Sequence, residues 1–186
     1  MSSIEPPRIQ IGTVTWDGTT DSTVTVVSGS TSYTTTGASS TGGHVYSSTL
    51  PTIDSTGLNI DVELIDGYPS QVAWLGVCNK TTAFTYSSNI DNYTGWYWSG
   101  DIYYPPDTTD NTGSSTLTAS MYRIALRTES SVIKFYIRKK GSVVRGPYPV
   151  PSGTLRLMML AQGFLELAEA NILNNGAIYQ GGGGLF

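Results

Sequence analysis

The chain has 186 residues, a net charge of −4 and charged side chains at only 13% of its positions, about half the ~25% that is usual in soluble proteins. Hydrophobic residues occupy 39% of the positions, which fits one globular domain with a sizeable core and excludes a disordered chain. The densest cationic run is Arg138-Lys139-Lys140. Because phosphate backbones need several converging cations, we expect no nucleic-acid partner.

The N-terminal residues 1–8 are polar and interrupted by prolines, so we expect an arm there. They lack the basic and apolar regions of a secretion signal, and no apolar run approaches the ~20 residues that cross a bilayer. We therefore expect synthesis in a cytoplasm without a signal peptide, and no membrane insertion. Cys78 is the only cysteine, and its apolar run, 72–78, predicts a small core residue.

Next along the chain come short β-rich runs separated by turn residues, which predict an all-β sandwich or barrel. Residues 9–16 and 22–27 are predicted strands around a turn-like DGTTD segment. Residues 28–43 are rich in Ser, Thr and Gly and are predicted as a long loop or an edge ribbon. His44, the single histidine, follows this stretch and is interpreted as an incidental loop residue.

The clearest strand covers residues 58–65, where Leu58, Ile60 and Val62 alternate with polar residues. Residues 72–78 are apolar on both faces, which predicts a central strand.

Residues 121–127 and 132–139 alternate in the same way, and the TESS segment between them predicts a hairpin turn. This pattern places Arg123 and Arg127 on the outward face. The cations that follow, up to Gly141, are typical of a strand end and its turn.

Residues 154–161 predict another buried strand, while residues 163–173 fit either a helix or a closing strand. Because this segment directly follows a strand, the strand is favoured. Residues 174–186 form a Gly-rich tail whose apolar tip, Leu185-Phe186, is a candidate anchor. The predicted organisation is an arm (1–8), a β-sandwich domain (9–173) and a tail (174–186).

The sequence offers few groups for catalysis, and it contains no His/Cys cluster for zinc and no phosphate-binding loop in a suitable context. The run Asn59-Ile60-Asp61-Val62-Glu63 resembles the E-x-D-x-E strand of jelly-roll glycosidases, but an amide at the first position cannot act as the nucleophile. We therefore predict no catalytic residues, no cofactor and no enzymatic activity. Calcium binding by loop aspartates remains open; the candidates are Asp91, Asp101, Asp107 and Asp110.

Aromatic residues are concentrated between Asn92 and Asp107. In chain order, VAWLGVC (72–78), GWYWSGDIYY (95–104) and FYIRKKG (135–141) resemble the W-x-G-V, G-W-x-W-x-G and F-Y-x-N-G segments of SPRY-type domains within the concanavalin-A-like jelly rolls. The sequence departs from that pattern at Lys140. The resemblance implies an all-β fold of two antiparallel sheets packed face to face.

For these aromatic residues, a core position is expected of Trp74 and favoured for Trp96 and Trp98. Tyrosines tolerate water while burying a large area, so the candidate contact surface consists of Tyr93, Tyr97, Tyr103 and Tyr104.

In its low charge, abundant Ser, Thr and Gly, and polar ends, the sequence also resembles bacteriophage virion proteins. We therefore expect a non-enzymatic decoration protein, head fibre or tail-associated spike in the virion, made in the host cytoplasm. We also expect it to form a symmetric homo-oligomer, with a trimer favoured. Its expected partners are other virion proteins such as the major capsid protein, with attachment through its termini. The alternative is a carbohydrate-binding or receptor-binding adhesin module that recognises cell-surface glycans.

Overall fold

A computed structural model of the protein describes residues 10–19, 24–25, 33–35, 43–55, 57–67, 73–79, 92–97, 99–106, 108–112, 116–161 and 165–173. These ranges contain fifteen strands. In chain order they are β1 Gln10–Thr13, β2 Trp16–Thr19, β3 Val24–Thr25, β4 Tyr33–Thr35, β5 Gly43–Thr49, β6 Leu58–Gly67, β7 Ala73–Cys78, β8 Tyr93–Tyr97, β9 Ile102–Tyr104, β10 Thr108–Asp110, β11 Ser120–Glu129, β12 Val132–Lys139, β13 Arg145–Pro149, β14 Arg156–Ala161 and β15 Leu165–Leu173.

The strands form two antiparallel sheets. The eight-stranded sheet has the order β13-β12-β11-β6-β15-β4-β3, and β1 also pairs with β15. The seven-stranded sheet has the order β10-β9-β8-β7-β14-β5-β2. No helix within the described ranges is long and apolar enough to cross a membrane.

The two sheets bury their apolar faces against each other in a main core. From the eight-stranded sheet, Ile60, Ile124 and Phe135 contribute fully buried side chains, and the seven-stranded sheet contributes Leu75 and Trp96. This arrangement confirms the predicted antiparallel β-sandwich of the jelly-roll type.

The alternating strands β6, β11 and β12 lie where their hydrophobic periodicity predicts. Ser130 and Ser131 join β11 to β12 with φ angles of 50° and 66°, which is the backbone of a tight two-residue hairpin. The end of β12 at Lys139, followed by Gly141 with φ of 80°, confirms the predicted strand end and turn.

Two further strands settle questions about the interior of the sheets. β7 lies between β8 and β14, so the predicted central position of residues 72–78 is confirmed. Residues 165–173 form β15, which pairs with β6 along most of its length. The strand alternative for this segment is therefore correct.

Several strands were not predicted. The segment 9–16 is divided, because β1 joins one sheet and Trp16 already opens β2 in the other. β4 lies inside 28–43 and pairs with the outermost strand β3, which fits the edge-ribbon alternative for that part. β10 and β13 were also missed.

The prediction that His44 lies in a loop is wrong, because it is a residue of β5 and pairs with Leu160. The run SST at the end of β5 gave no hydrophobic signal. Pairing with β14 and β2 on its two sides, rather than side-chain pattern, makes this segment a strand.

The end strand β13 of the eight-stranded sheet contains Pro147 and Pro149. Proline has no backbone N–H, so it is confined to edges and bulges of sheets. β13 therefore occupies a position that its sequence allows.

Candidate functional site

A second hydrophobic cluster lies on the outer face of the seven-stranded sheet, away from the main core. Along β7 and β8, the side chains that enter the core alternate with those that form this cluster. We call it the outer aromatic cluster; its members are Tyr46, Trp74, Cys78, Tyr93, Met158, Tyr97 and Tyr103.

Trp74 is the centre of the outer aromatic cluster and has no exposed surface. Its ring centroid lies 4.8 Å from that of Tyr93, 4.7 Å from that of Tyr97 and 4.8 Å from that of Tyr103. The contacts with Tyr93 and Tyr103 are edge-to-face and that with Tyr97 is tilted; aromatic pairs at such distances contribute about 0.5–1.5 kcal/mol each beyond the buried area. The prediction that Trp74 is buried is correct, but its neighbours belong to this cluster and not to the main core.

Two paired glycines leave the middle of the cluster without side chains. Gly76 of β7 is opposite Gly95 of β8, and Tyr103 of β9 is opposite Gly95. The Trp74 ring therefore reaches Tyr103 across the strand on which Gly95 lies. A Cβ atom at Gly95 would lie only 2.8 Å from the carbonyl oxygen of Leu75, so the strands approach too closely here for a larger residue.

The structure separates the four tyrosines predicted as a contact surface. Tyr97 and Tyr103 are partly exposed, with ring centroids 5.5 Å apart and planes at 80°. Tyr93 is only 1% exposed, so the expectation that it is exposed is wrong; the Trp74 ring packs against it. Tyr104 packs against the main core and lies 5.1 Å from the Tyr148 ring.

Other aromatic and terminal candidates have different outcomes. Trp96 is buried in the main core, as predicted, and makes an edge contact with Tyr122 at 5.9 Å. Trp98 and the candidate anchor Leu185-Phe186 lie outside the described residues.

Tyr46 and Met158 are members of the cluster that the sequence analysis missed. Burial raises the pKa of the Tyr46 phenol well above its usual range, with a smaller contribution from Cys78, so the phenol is neutral under physiological conditions. Cys78 itself is a buried free thiol, as predicted. Tyr46 lies on β5, which was not predicted as a strand.

Arg145 forms a buried hydrogen-bond network that joins the β8–β9 turn and β10 to the eight-stranded sheet. Its guanidinium donates hydrogen bonds to the carbonyls of Gly100 and Asp110, and Nη2 lies 3.2 Å from the Asp110 carboxylate. The same group lies 5.5 Å from the centroid of the Trp96 ring, a cation–π arrangement. Because Arg145 is on β13, this network fixes β10 and the β8–β9 turn against the edge of the eight-stranded sheet.

The Asp110 carboxylate accepts several hydrogen bonds within this network. The Tyr148 hydroxyl donates to Oδ2, while the Thr112 amide and hydroxyl donate to Oδ1 at 2.9 and 2.6 Å. Burial alone raises the pKa of Asp110, but these hydrogen bonds and the one from Arg145 outweigh it and hold the pKa well below its usual range. The carboxylate is therefore charged, and both of its oxygens accept hydrogen bonds.

The carboxylate strand β6 shows why the glycosidase resemblance fails. Arg127 donates a 2.6 Å hydrogen bond to Oδ1 of Asn59, and Arg123 binds both carboxylate oxygens of Asp61. Glu63 is exposed. A second carboxylate free to work with Glu63 is thus missing from this strand, in contrast to the pair that the two-carboxylate mechanism needs.

Within the described ranges, no group of three or more His, Cys, Asp or Glu side chains is placed to hold a metal ion. Of the four calcium candidates, Asp101 accepts a hydrogen bond from Ser99 and Asp110 belongs to the Arg145 network. Asp91 and Asp107 lie outside the described residues.

No protein-family model matches the sequence, and no curated protein is significantly similar to it. The fold itself is similar to solved structures. The SPRY domain of human HERC1 superimposes with a TM-score of 0.56 and 14% identity, covering 84% of this chain and 98% of that one. A second human SPRY domain gives a TM-score of 0.54 and 14% identity, covering 83% and 96%.

The carbohydrate recognition domain of Emp46p, in a metal-free form, gives a TM-score of 0.56 and 10% identity over 87% of this chain and 88% of that one. Identities this low establish the fold alone. They agree with the SPRY-like and concanavalin-A-like architecture that the sequence motifs predicted.

Proposed function

We propose that this protein is a non-enzymatic binding module that recognises carbohydrate through the outer aromatic cluster. The observation that carries the proposal is the pair of partly exposed tyrosines, Tyr97 and Tyr103, held against the buried Trp74 ring. Aromatic faces bind the apolar C–H faces of sugars, and a ring already fixed by packing loses little entropy on binding.

The fold similarity supports this choice over the role in a virus particle. The Emp46p carbohydrate recognition domain has a similar sandwich fold. The particle role rests on composition, and no observation made on the structure favours it. It stays a prediction, tested by deleting residues 1–8 or 181–186 and measuring incorporation into particles.

Glycan-array binding tests the proposed function. Wild-type protein should bind one or more glycans, and Tyr97→Leu and Tyr103→Leu should each lose most of the signal. Leucine keeps apolar volume against Trp74 but removes the aromatic face. Tyr104→Leu is the matched control, because Tyr104 is a neighbouring tyrosine that packs on the main core.

Retained binding in both cluster variants, at wild-type thermal stability, would place the glycan elsewhere on the molecule. A silent array with folded wild-type protein would reject the proposed function.

The non-enzymatic part of the proposal has its own test. Neither wild-type protein nor Glu63→Gln should hydrolyse soluble β-glucans, because Asn59 and Asp61 are bonded to arginines. Turnover by wild-type protein that disappears in Glu63→Gln would contradict it.

A further inference from the structure

The ring planes of the outer aromatic cluster restrict the shape of the sugar that it can accept. The planes of Tyr97 and Tyr103 are 80° apart, and the Trp74 plane is inclined by 41° to the first and 64° to the second. Trp74 is also fully buried. The accessible part of the cluster is therefore a corner made by two tyrosines.

A flat aromatic surface would be needed to adsorb the face of a crystalline polysaccharide, because each sugar ring must stack on a parallel aromatic ring. With an angle of 80° between them, only one of the two tyrosines can lie parallel to such a face. The plane of the second ring would be nearly perpendicular to that face. This geometry excludes simultaneous stacking of two neighbouring sugar residues of a flat chain.

The corner is also rigid. Both tyrosine rings contact the same Trp74 ring at 4.7–4.8 Å, and the sheet beneath it is closed by the tight approach of Gly76 and Gly95. Turning the tyrosines into one plane would break these ring contacts, at a cost of about 0.5–1.5 kcal/mol each. Binding of a flat surface would have to supply that free energy.

The members of the cluster carry no formal charge at neutral pH, since they are tyrosine, tryptophan, methionine and a buried cysteine. Such a set provides aromatic faces and neutral hydroxyl groups. It supplies no cation to pair with the carboxylate of an acidic sugar.

Building on the proposed function, we infer that the Tyr97–Tyr103 corner binds one neutral pyranose residue, at a chain end or a branch, and not the face of an extended polysaccharide. One ring stacks on the C–H face of the sugar, and the other contacts its rim. Affinity then depends on a single sugar residue.

Calorimetric titration with methyl glycosides of glucose, galactose and mannose, and with the matching linear oligosaccharides, tests this inference. We expect the preferred methyl glycoside to bind within about threefold of its oligosaccharides, a difference below 1 kcal/mol. Tyr103→Leu should weaken binding about three- to tenfold, the loss of one aromatic contact. Tyr103→Phe, which keeps the ring, should stay closer to wild type.

Pull-down on microcrystalline cellulose and crystalline chitin tests binding to flat polysaccharide faces, and we expect neither material to retain the protein. Retention that Tyr103→Leu abolishes, or affinity that rises with every added sugar, would overturn the single-residue inference while leaving the proposed function intact. Equal affinity for methyl glucuronide and methyl glucoside would overturn the neutral-sugar part. Absence of binding to every soluble and insoluble glycan would overturn the inference together with the proposed function.

Discussion

The outer faces of the two sheets differ in chemistry, because one carries paired polar groups and the other carries aromatic residues. On the eight-stranded sheet, Asp61 pairs with Arg123, and Asn59 accepts from Arg127. On the seven-stranded sheet, the outer face carries the outer aromatic cluster around Trp74. Each face contains a buried side chain: Arg127 is 7% exposed on one, and Trp74 is 0% exposed on the other.

The difference between the two outer faces indicates which of them is the better candidate for a recognition surface. A sandwich needs apolar residues only between its sheets, because an outer face is free to be polar. The eight-stranded sheet follows this rule, with polar groups that bind one another. The seven-stranded sheet departs from it, and a partly exposed aromatic group on a departing face is the better candidate for recognition.

The largest expected effect comes from removing the centre of the aromatic face. Trp74→Ala should lower the free energy of unfolding by about 3–5 kcal/mol, the usual cost of deleting a buried tryptophan side chain. Urea unfolding monitored by circular dichroism measures it. Trp96→Ala in the main core is the matched control and should cost a similar amount. A loss below 1 kcal/mol for Trp74→Ala alone would mean that the outer cluster is loosely packed.

The second effect concerns the network that connects the two sheets at their edge. Asp110→Asn should cost about 3 kcal/mol at neutral pH, because it removes the charge that compensates the buried Arg145 guanidinium. Since the pKa of Asp110 is lower in the folded protein than in the unfolded chain, its contribution is complete above about pH 4 and is lost as the pH falls further.

The measurement is the free energy of unfolding of both proteins between pH 7 and pH 2. The difference between wild type and Asp110→Asn should shrink below pH 4. A difference that stays constant down to pH 2 would show that another group causes the acid sensitivity.

The glycine pair under Trp74 should give an intermediate effect. Gly95→Ala should cost about 1–3 kcal/mol, because the new Cβ would meet backbone atoms of β7 and force the strands apart. Gly12→Ala is the matched control in a strand of the other sheet, where the nearest atom, Cδ1 of Ile172, is 3.9 Å away. Thermal unfolding of the two variants compares them directly, and equal melting temperatures would argue against close strand approach.

The smallest effect is expected on the polar face. Asp61→Asn should cost about 1 kcal/mol, because its ion pair with Arg123 is partly open to solvent, each side chain being 17% exposed. The cost should decrease in 1 M salt, whereas the cost of Trp74→Ala should not. Glu63→Gln, at an exposed position of the same strand, is the control and should change little. A salt-independent loss for Asp61→Asn would point to packing instead of charge.

Sequence periodicity predicted the strands in which apolar and polar residues alternate, such as 58–65 and 132–139. It did not predict β5 or β13, whose Ser, Thr and Pro residues give no periodic signal and which exist because neighbouring strands pair with them. Alternation also predicted the correct face for Arg127. It did not predict that Arg127 is buried, because its burial depends on Asn59 and on the Leu58 carbonyl, which the pairing of β6 with β11 brings near.

For the candidate site, the sequence identified the right aromatic segment but not the right set of tyrosines. Tyr93 and Tyr97 are on the same side of β8 and lie at nearly equal distances from the Trp74 ring, yet Tyr93 is buried and Tyr97 is partly exposed. Tyr93 is opposite Cys78 and Tyr97 is opposite Trp74, so the surroundings of each ring are a matter of strand register. Register between distant strands cannot be obtained from the spacing of residues along one strand.

The prolines of β13 have a consequence for how copies of the protein could associate. An end strand normally offers a row of amide donors that a second chain can join, and this is a common route to fibres. Pro147 and Pro149 remove two of those donors from a five-residue strand. Continuous sheets running from one molecule into the next are therefore disfavoured at this edge, where self-association would have to use side-chain surfaces.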